Sequence, residues 1–279
     1  PEESYWQQVY AGMLPLIRRE KIGMEFYGPN LNDRREIQQI LEMAILASCD
    51  GILLAIPNDP AFQPFIVEAT QRKIPVVALA NAPDNTEISY VGISAYDLGL
   101  QTGKAFQKAV SRPTSAALLV NSNYSDANTQ QYLAGFRKAI QGDPRLNIGL
   151  LVNSKGESIQ AEEQTQVIIK DHPEIEAIIC CNPSDTLGVA KLVVDLNQVS
   201  RMTIIGAGMT AEIAGYIRRG VIWGVLADDP AALGAQGLAT LLHFKNGLSQ
   251  PEIYQMPLSL IQAHNVDQYE QKFALRRSR

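Results

Sequence analysis

The sequence predicts an α/β protein made of two doubly wound parallel-sheet lobes joined by a hinge. Short apolar runs alternate with helical patterns along nearly the whole chain. The runs lack strict apolar–polar alternation, as parallel strands covered on both faces do. The series halts at Ser111-Arg112-Pro113-Thr114 and then starts afresh, because Pro113 cannot continue a helix. Two similar βα halves joined at a proline-marked crossing describe a bilobed protein with a cleft, and such clefts are favoured ligand sites. The expected lobes are 1–111 with a returning segment 230–258, and 112–229 with 259–279.

In the first half, strands are predicted at 22–27, 51–56, 75–80 and 90–93, with helices at 34–47, 62–73 and 98–110. In the second half, the strands are 116–120, 148–152, 177–181, 203–206 and 224–227. Its helices are 128–141, 160–171, 184–196, 211–219 and 231–244, and a charged helical segment covers 266–279. Repeated βα units with short loops define a doubly wound sheet. The chain opens on an amphipathic helix, 4–20, with Tyr5, Val9, Met13 and Leu16 at helical spacing and Ser4 placed to cap it. No strand precedes that helix, and a sheet lacking a central strand would expose unpaired backbone groups. A first strand is therefore expected upstream of Pro1.

Composition removes several function classes. A chain of 279 residues is comfortable for two domains, and 46% hydrophobic with 19% charged residues marks an ordinary globular protein. A net charge of −5 argues against nucleic acid as the main partner. The longest apolar runs are far too short to span a bilayer. No signal peptide is visible, which fits either a cytoplasmic protein or an exported one whose leader is gone. Cys49, Cys180 and Cys181 make no disulfide framework and read as small buried hydrophobes. His172, His243 and His264 stand at no ligand spacing, so neither metal nor cofactor is expected.

The last third is the most informative. Ile204-Ile205-Gly206-Ala207-Gly208 reads as a strand with a glycine turn; a short helix then ends at Gly220. A second apolar strand runs into Asp228-Asp229-Pro230, where Pro230 opens the next helix. That order places Asp228 and Asp229 at the carboxyl end of a strand, where open α/β sheets bind ligands. A surface-loop role is the alternative. Asp229, just before Pro230, suits a helix cap.

Several patterns, in this order and spacing, resemble the type I periplasmic binding proteins of the ribose- and galactose-binding branch. They are Tyr5-Trp6 opening the first helix with Gly12 later in it, Asp50-Gly51-Ile52-Leu53-Leu54, and Tyr90-Val91-Gly92 followed by Gly99. Gly135-Phe136, Asn182 with Leu187-Gly188, and Asp228-Asp229-Pro230 with Gly234 complete the set. The resemblance covers nearly the whole chain, from Tyr5 to Asn265. It implies an extracytoplasmic protein, in the periplasm or anchored at the cell surface, that closes on a small polar ligand for ABC-type uptake.

Three positions depart from the sugar-binding pattern. Ser94 stands where the family usually has an acid, and Tyr132 where it has an arginine. Gly206-Ala207-Gly208 replaces a motif that ends in an acid. Charged hydrogen bonds to vicinal hydroxyls give those proteins their specificity, and such bonds are the stronger ones. Their loss argues against a ribose-like ligand and towards a modified sugar, cyclitol or nucleoside. The candidate ligand residues are Tyr5, Trp6, Ser94, Asn123, Tyr132, Asn182 and Asp228. Trp6 either stacks on a ring face of the ligand or staples the helix beneath it. Asn182 either meets a hydroxyl or caps the following helix. Asn123 and Tyr124 reach the cleft or form a turn. Asp185 reads as a first-turn charge on its helix, with a structural role.

An enzyme is disfavoured because no phosphate loop, nucleophile elbow or His–acid pairing is present. Two other classes share the fold. One is the effector domain of a lactose-repressor-type regulator. The other is the ligand-sensing domain of a membrane receptor such as a histidine kinase, whose partner would be a transmembrane segment instead of a permease.

Overall fold

The computed structural model describes residues 4–27, 34–55, 60–80, 82, 88–120, 127–245 and 251–277. Asn123, Tyr124 and the side chain of Ser4 lie outside the described residues. From the amino end the elements are α1 (Ser4–Glu20), α2 (Arg34–Leu46), β1 (Ile52–Leu54), α3 (Gln63–Gln71), β2 (Val76–Ala80) and β3 (Ser89–Gly92). Next come α4 (Ala95–Ala109), β4 (Thr114–Val120), α5 (Ala127–Ile140), β5 (Leu146–Asn153), α6 (Ser158–Asp171) and β6 (Ile175–Cys180). They are followed by α7 (Pro183–Asp195), β7 (Thr203–Ala207), α8 (Ala211–Arg218), β8 (Gly224–Ala227) and α9 (Pro230–Lys245). The chain closes with β9 (Ile253–Gln255), β10 (Ser259–Ile261) and α10 (Val266–Arg277).

The chain divides into two compact units. One holds Pro1–Ser94, Asp229–Pro257 and Phe273–Arg279, and the other holds Ala95–Asp228 and Leu258–Lys272. In the first unit a parallel sheet runs β1-β2-β3-β9. Side-chain alternation along β2 and β3 sorts its two faces. Val77, Leu79 and Val91 join Val9, Met13, Leu233 and Leu238 of α1 and α9. Val76, Ala78 and Tyr90 join Ile37, Leu41, Ile45 and Ile66 of α2 and α3.

The second unit repeats the plan. Its sheet runs β10-β8-β7-β6-β4-β5, parallel except for β10. Ala117 and Leu119 face Ile168, Val189, Val193, Ile213 and Ile217 of α6, α7 and α8. Ala116, Leu118 and Val120 face Phe106, Leu133 and Phe136 of α4 and α5. Helices on both faces explain why the strands read as unbroken apolar runs.

Glycines set how closely the helices approach. A Cβ on Gly99 of α4 would stand 2.0 Å from the Tyr132 carbonyl oxygen, and one on Gly135 of α5 would stand 2.0 Å from that of Tyr96. The first unit has the same reciprocal arrangement. Gly12 of α1 lies against the Ala231 carbonyl, and Gly234 of α9 against that of Val9, each at 1.9 Å from a would-be Cβ. Both helix pairs thus meet backbone to backbone, and through its contact with α5 the helix α4 is carried by the second unit.

Two local expectations need correction. Residues 22–27 belong to no helix or strand, and no strand pairs with them among the described residues. Ile22, Met24 and Phe26 are half-buried while their neighbours are exposed, and Phe26 stacks on Tyr10 at 5.1 Å between centroids. The side-chain alternation is that of a strand, without the ladder. Strands β9 and β10 were not foreseen, because each has only three residues and β9 is exposed at all of them.

Replacing Gly135 by alanine forces a methyl group onto a fixed carbonyl, so a loss of about 1–3 kcal/mol is expected, as for other overpacked sites. Gly23→Ala meets nothing within 4 Å and should melt with the wild type. Thermal denaturation of the two variants checks this.

Candidate functional site

The parallel strands of the second unit end along one edge of their sheet. The residues that follow them are Ser154 after β5, Cys181 and Asn182 after β6, Gly208 after β7 and Asp228 after β8. This is the edge at which open α/β sheets receive ligands.

Asn182 is the N-cap of α7, with extended backbone, and its Oδ1 accepts from the Asp185 N–H at 2.8 Å. Its Nδ2 donates to Asp185 Oδ2 at 2.6 Å. The Ser154 hydroxyl donates to the same Oδ2 at 2.7 Å, and the Ser154 N–H is held by the Val120 carbonyl at 2.9 Å. Thr186 ties the first turn of α7 to β7: its Oγ1 donates to Asn182 O at 2.8 Å and accepts from Ala207 N–H at 3.2 Å. The ends of β5, β6 and β7 are thus knotted together through α7.

Asp185 reads in the sequence as a first-turn charge with a structural role; in the structure it is fully buried, and among the described residues its Oδ1 has no hydrogen-bond partner. Burial pushes its carboxyl up to about 6, against the two bonds from Ser154 and Asn182 that pull it down. Its helical phase was the available signal, because Asp185, Val189 and Val193 fall on one inward stripe.

Asp228 is half-buried, and its backbone carbonyl accepts from the Tyr269 hydroxyl on α10. Asp229 Oδ1 accepts from the Ala232 N–H at 3.0 Å and caps α9. Tyr132 lies in the core beside Leu133, stacked on Phe136 at 6.4 Å. Its hydroxyl is buried without a well-formed hydrogen bond, although Thr102 and Cys181 lie beside it, and burial pushes the phenol well up. Cys180 faces one core cluster and Cys181 the other. Burial raises both thiols, Cys181 to about 12.

In the first unit, Tyr5 and Trp6 sit in the first turn of α1, edge to face at 5.3 Å, both half-buried against the Val9–Met13 cluster. Ser94 follows β3, and its N–H donates to Gln255 Oε1 on β9 at 3.1 Å. Asn123 lies outside the described residues. A groove of about 420 Å³ between α5 and β5, lined by Leu133, Arg137 and Ile148 among others, contains none of the candidate residues. Its lining is mostly aliphatic, with Arg137 and Asn147 as its polar side chains. Among the described residues no group of three His, Cys, Asp or Glu side chains could hold a metal ion.

The family model for the periplasmic binding protein domain matches residues 1–248. The chain belongs to the periplasmic binding protein family. It is a solute-binding protein of the type I fold. It is similar to Periplasmic protein TorT of Escherichia coli K12, at 21% identity over 275 residues, or 95% of this chain and 76% of that protein. A glucose-galactose binding protein, GanP of Geobacillus stearothermophilus, superposes with a TM-score of 0.84 at 26% identity, over 95% of both chains. A solute-binding protein from Actinobacillus succinogenes 130z, solved with bound D-allose, gives a TM-score of 0.86 at 18% identity over 96% of both chains. Among the described residues no helix is long and apolar enough to cross a membrane.

The buried carboxyl makes stability depend on pH. Its value rises from 3.8 to about 6 on folding, so the folded chain holds the proton more tightly. Its stabilising contribution is complete below the lower value and is lost as pH rises through the higher one. The shift corresponds to a few kcal/mol, on the order of 2–3. Asp185→Asn should therefore be more stable than the wild type at pH 7, with the difference shrinking towards pH 4, as urea titrations across that range would read.

Proposed function

We propose that this protein captures a small polar solute outside the cytoplasm and delivers it to a membrane permease, binding without chemistry. The observation that carries this reading is the family match over residues 1–248, together with Asn182 and Asp228 at strand ends along one sheet edge, after β6 and β8 with β7 between them. The ligand residues proposed are Tyr5, Trp6, Ser94, Asn123, Tyr132, Asn182 and Asp228. Trp6, Asn182 and Asp228 carry most of the affinity: the indole stacks on a ring face, and the amide and the carboxylate meet hydroxyl or amine donors. Ser94, Tyr132 and Gly208 stand where charged groups hold vicinal hydroxyls in the pentose binders, so the pocket carries less charge. The ligand proposed is a ring-containing neutral or weakly cationic solute: a modified sugar, cyclitol or nucleoside. The similarity to a glucose-galactose binding protein supports the sugar class.

A thermal-shift panel of hexoses, pentoses, cyclitols, nucleosides and amino acids tests the ligand class. At least one ring-containing polyol or nucleoside should raise the melting temperature, and ribose should not. Tight ribose binding would refute the pocket argument. In Asp228→Ala the hit should lose about 1.5–3 kcal/mol of binding energy if it donates to that carboxylate, and an unchanged shift removes Asp228 from the site. A hinge that closes on the ligand stabilises the closed state only through contacts from both lobes. Small-angle scattering should then show compaction when the hit is added, and identical profiles would count against closure.

A further inference from the structure

The most unusual group among the described residues is the buried carboxylate of Asp185. The solute-binding role proposed above does not use it, yet both polar ends of the Asn182 amide are spent on this one residue: Oδ1 on its N–H and Nδ2 on its Oδ2. These two bonds determine the amide orientation together. Turning the amide over would set Oδ1 against the carboxylate and Nδ2 against an N–H, replacing two attractions with two repulsions. The carboxylate is itself held by the Ser154 hydroxyl from the end of β5. One Nδ2 hydrogen and one Oδ1 lone pair of Asn182 remain uncommitted by these bonds.

We propose that Asp185 is the positioning residue of the binding site, locking Asn182 so that its amide presents one fixed donor and one fixed acceptor to a ligand hydroxyl. This rests on the reading that Asn182 meets the solute. The lock is strongest when the carboxylate is ionised, because a hydrogen bond to a charged acceptor is about twice as strong as one between neutral groups. A proton on the unpartnered Oδ1 leaves Oδ2 a neutral acceptor and loosens the amide. The titratable groups that feel the Asp185 charge are Cys180 and Cys181 at the end of β6; it raises both, and both stay thiols across the physiological range. Ser154 from β5 and Asn182 supply the remaining polar contacts; no charged group contributes to its shift. Site affinity is therefore linked to the protonation of Asp185: it rises as pH passes through about 6 and levels off above.

Two measurements on the full chain test this. The first needs no ligand: the Asn182 side-chain amide signals of ¹⁵N-labelled protein are followed from pH 4.5 to 8. They should titrate with a midpoint near 6 in the wild type and stay flat in Asp185→Asn, whose neutral amide mimics the protonated acid. The second is calorimetric titration of D-allose, D-galactose, D-glucose and myo-inositol at pH 5 and pH 7.5. For whichever of these binds, affinity should be several-fold higher at pH 7.5 in the wild type. In Asp185→Asn it should be pH-independent and equal to the wild-type value at pH 5. A purely structural Asp185 would change stability and leave both profiles alike. Flat Asn182 signals in the wild type, or the same pH profile in both proteins, overturn the proposal. If none of the four solutes binds, the sugar reading of the site fails, and the amide titration alone decides the role of Asp185.

Discussion

The structure depends on helices brought to backbone contact by paired glycines. The α4–α5 pair and the α1–α9 pair each have a glycine from one helix against a carbonyl of the other, in both directions. No side chain fits in either gap, so neither helix can slide or rotate without a clash. That rigidity sets the positions of the polar residues. Helix α1 carries Tyr5 and Trp6 in its first turn, and α9 is capped by Asp229. Ordinary side-chain packing tolerates rearrangement; a carbonyl seated on a glycine does not.

The strand-end cluster works in the opposite energetic direction. A carboxylate buried with one oxygen unpaired opposes folding, because its desolvation outweighs the two hydrogen bonds it accepts. The surrounding fold supplies the stability that keeps it there. Sites that bind or react often keep such locally unfavourable groups, and a perturbed acid beside a cap residue on a strand edge fits that pattern.

Much of this fold is legible in the sequence, because its strands are covered on both faces and each reads as an unbroken apolar run between helical patterns. The motif glycines Gly12, Gly99, Gly135 and Gly234 are the ones at the helix contacts, so local pattern and long-range packing agree there. Where legibility stops, the cause is physical. Residues 22–27 show the period-two burial of a strand, but period alone does not reveal whether a neighbour supplies the ladder. The three-residue β9 and β10 are too short to leave a periodic trace. At the strand end after β8, the capping of α9 by Asp229 follows from Pro230 beside it. The structural role of Asp185 follows from its first-turn position, and its phase with Val189 and Val193 points it inward, while its residue type conceals how completely it is buried. Nothing local in the sequence sets Ser154, distant along the chain, against that carboxylate.

The adjacent thiols at the end of β6 have a consequence of another kind. Cys180 and Cys181 face opposite sides of one strand, each toward a different core cluster, and at neutral pH thiolate is a vanishing fraction of either. Oxidants and alkylating agents react with thiolate, so while the strand is in place the buried Cys180 sulfur is chemically silent, whereas Cys181, just past the strand, is only partly buried. Any modification of Cys180 records a moment when β6 has left its sheet. That thiol thus serves as a built-in clock for the opening of the second unit.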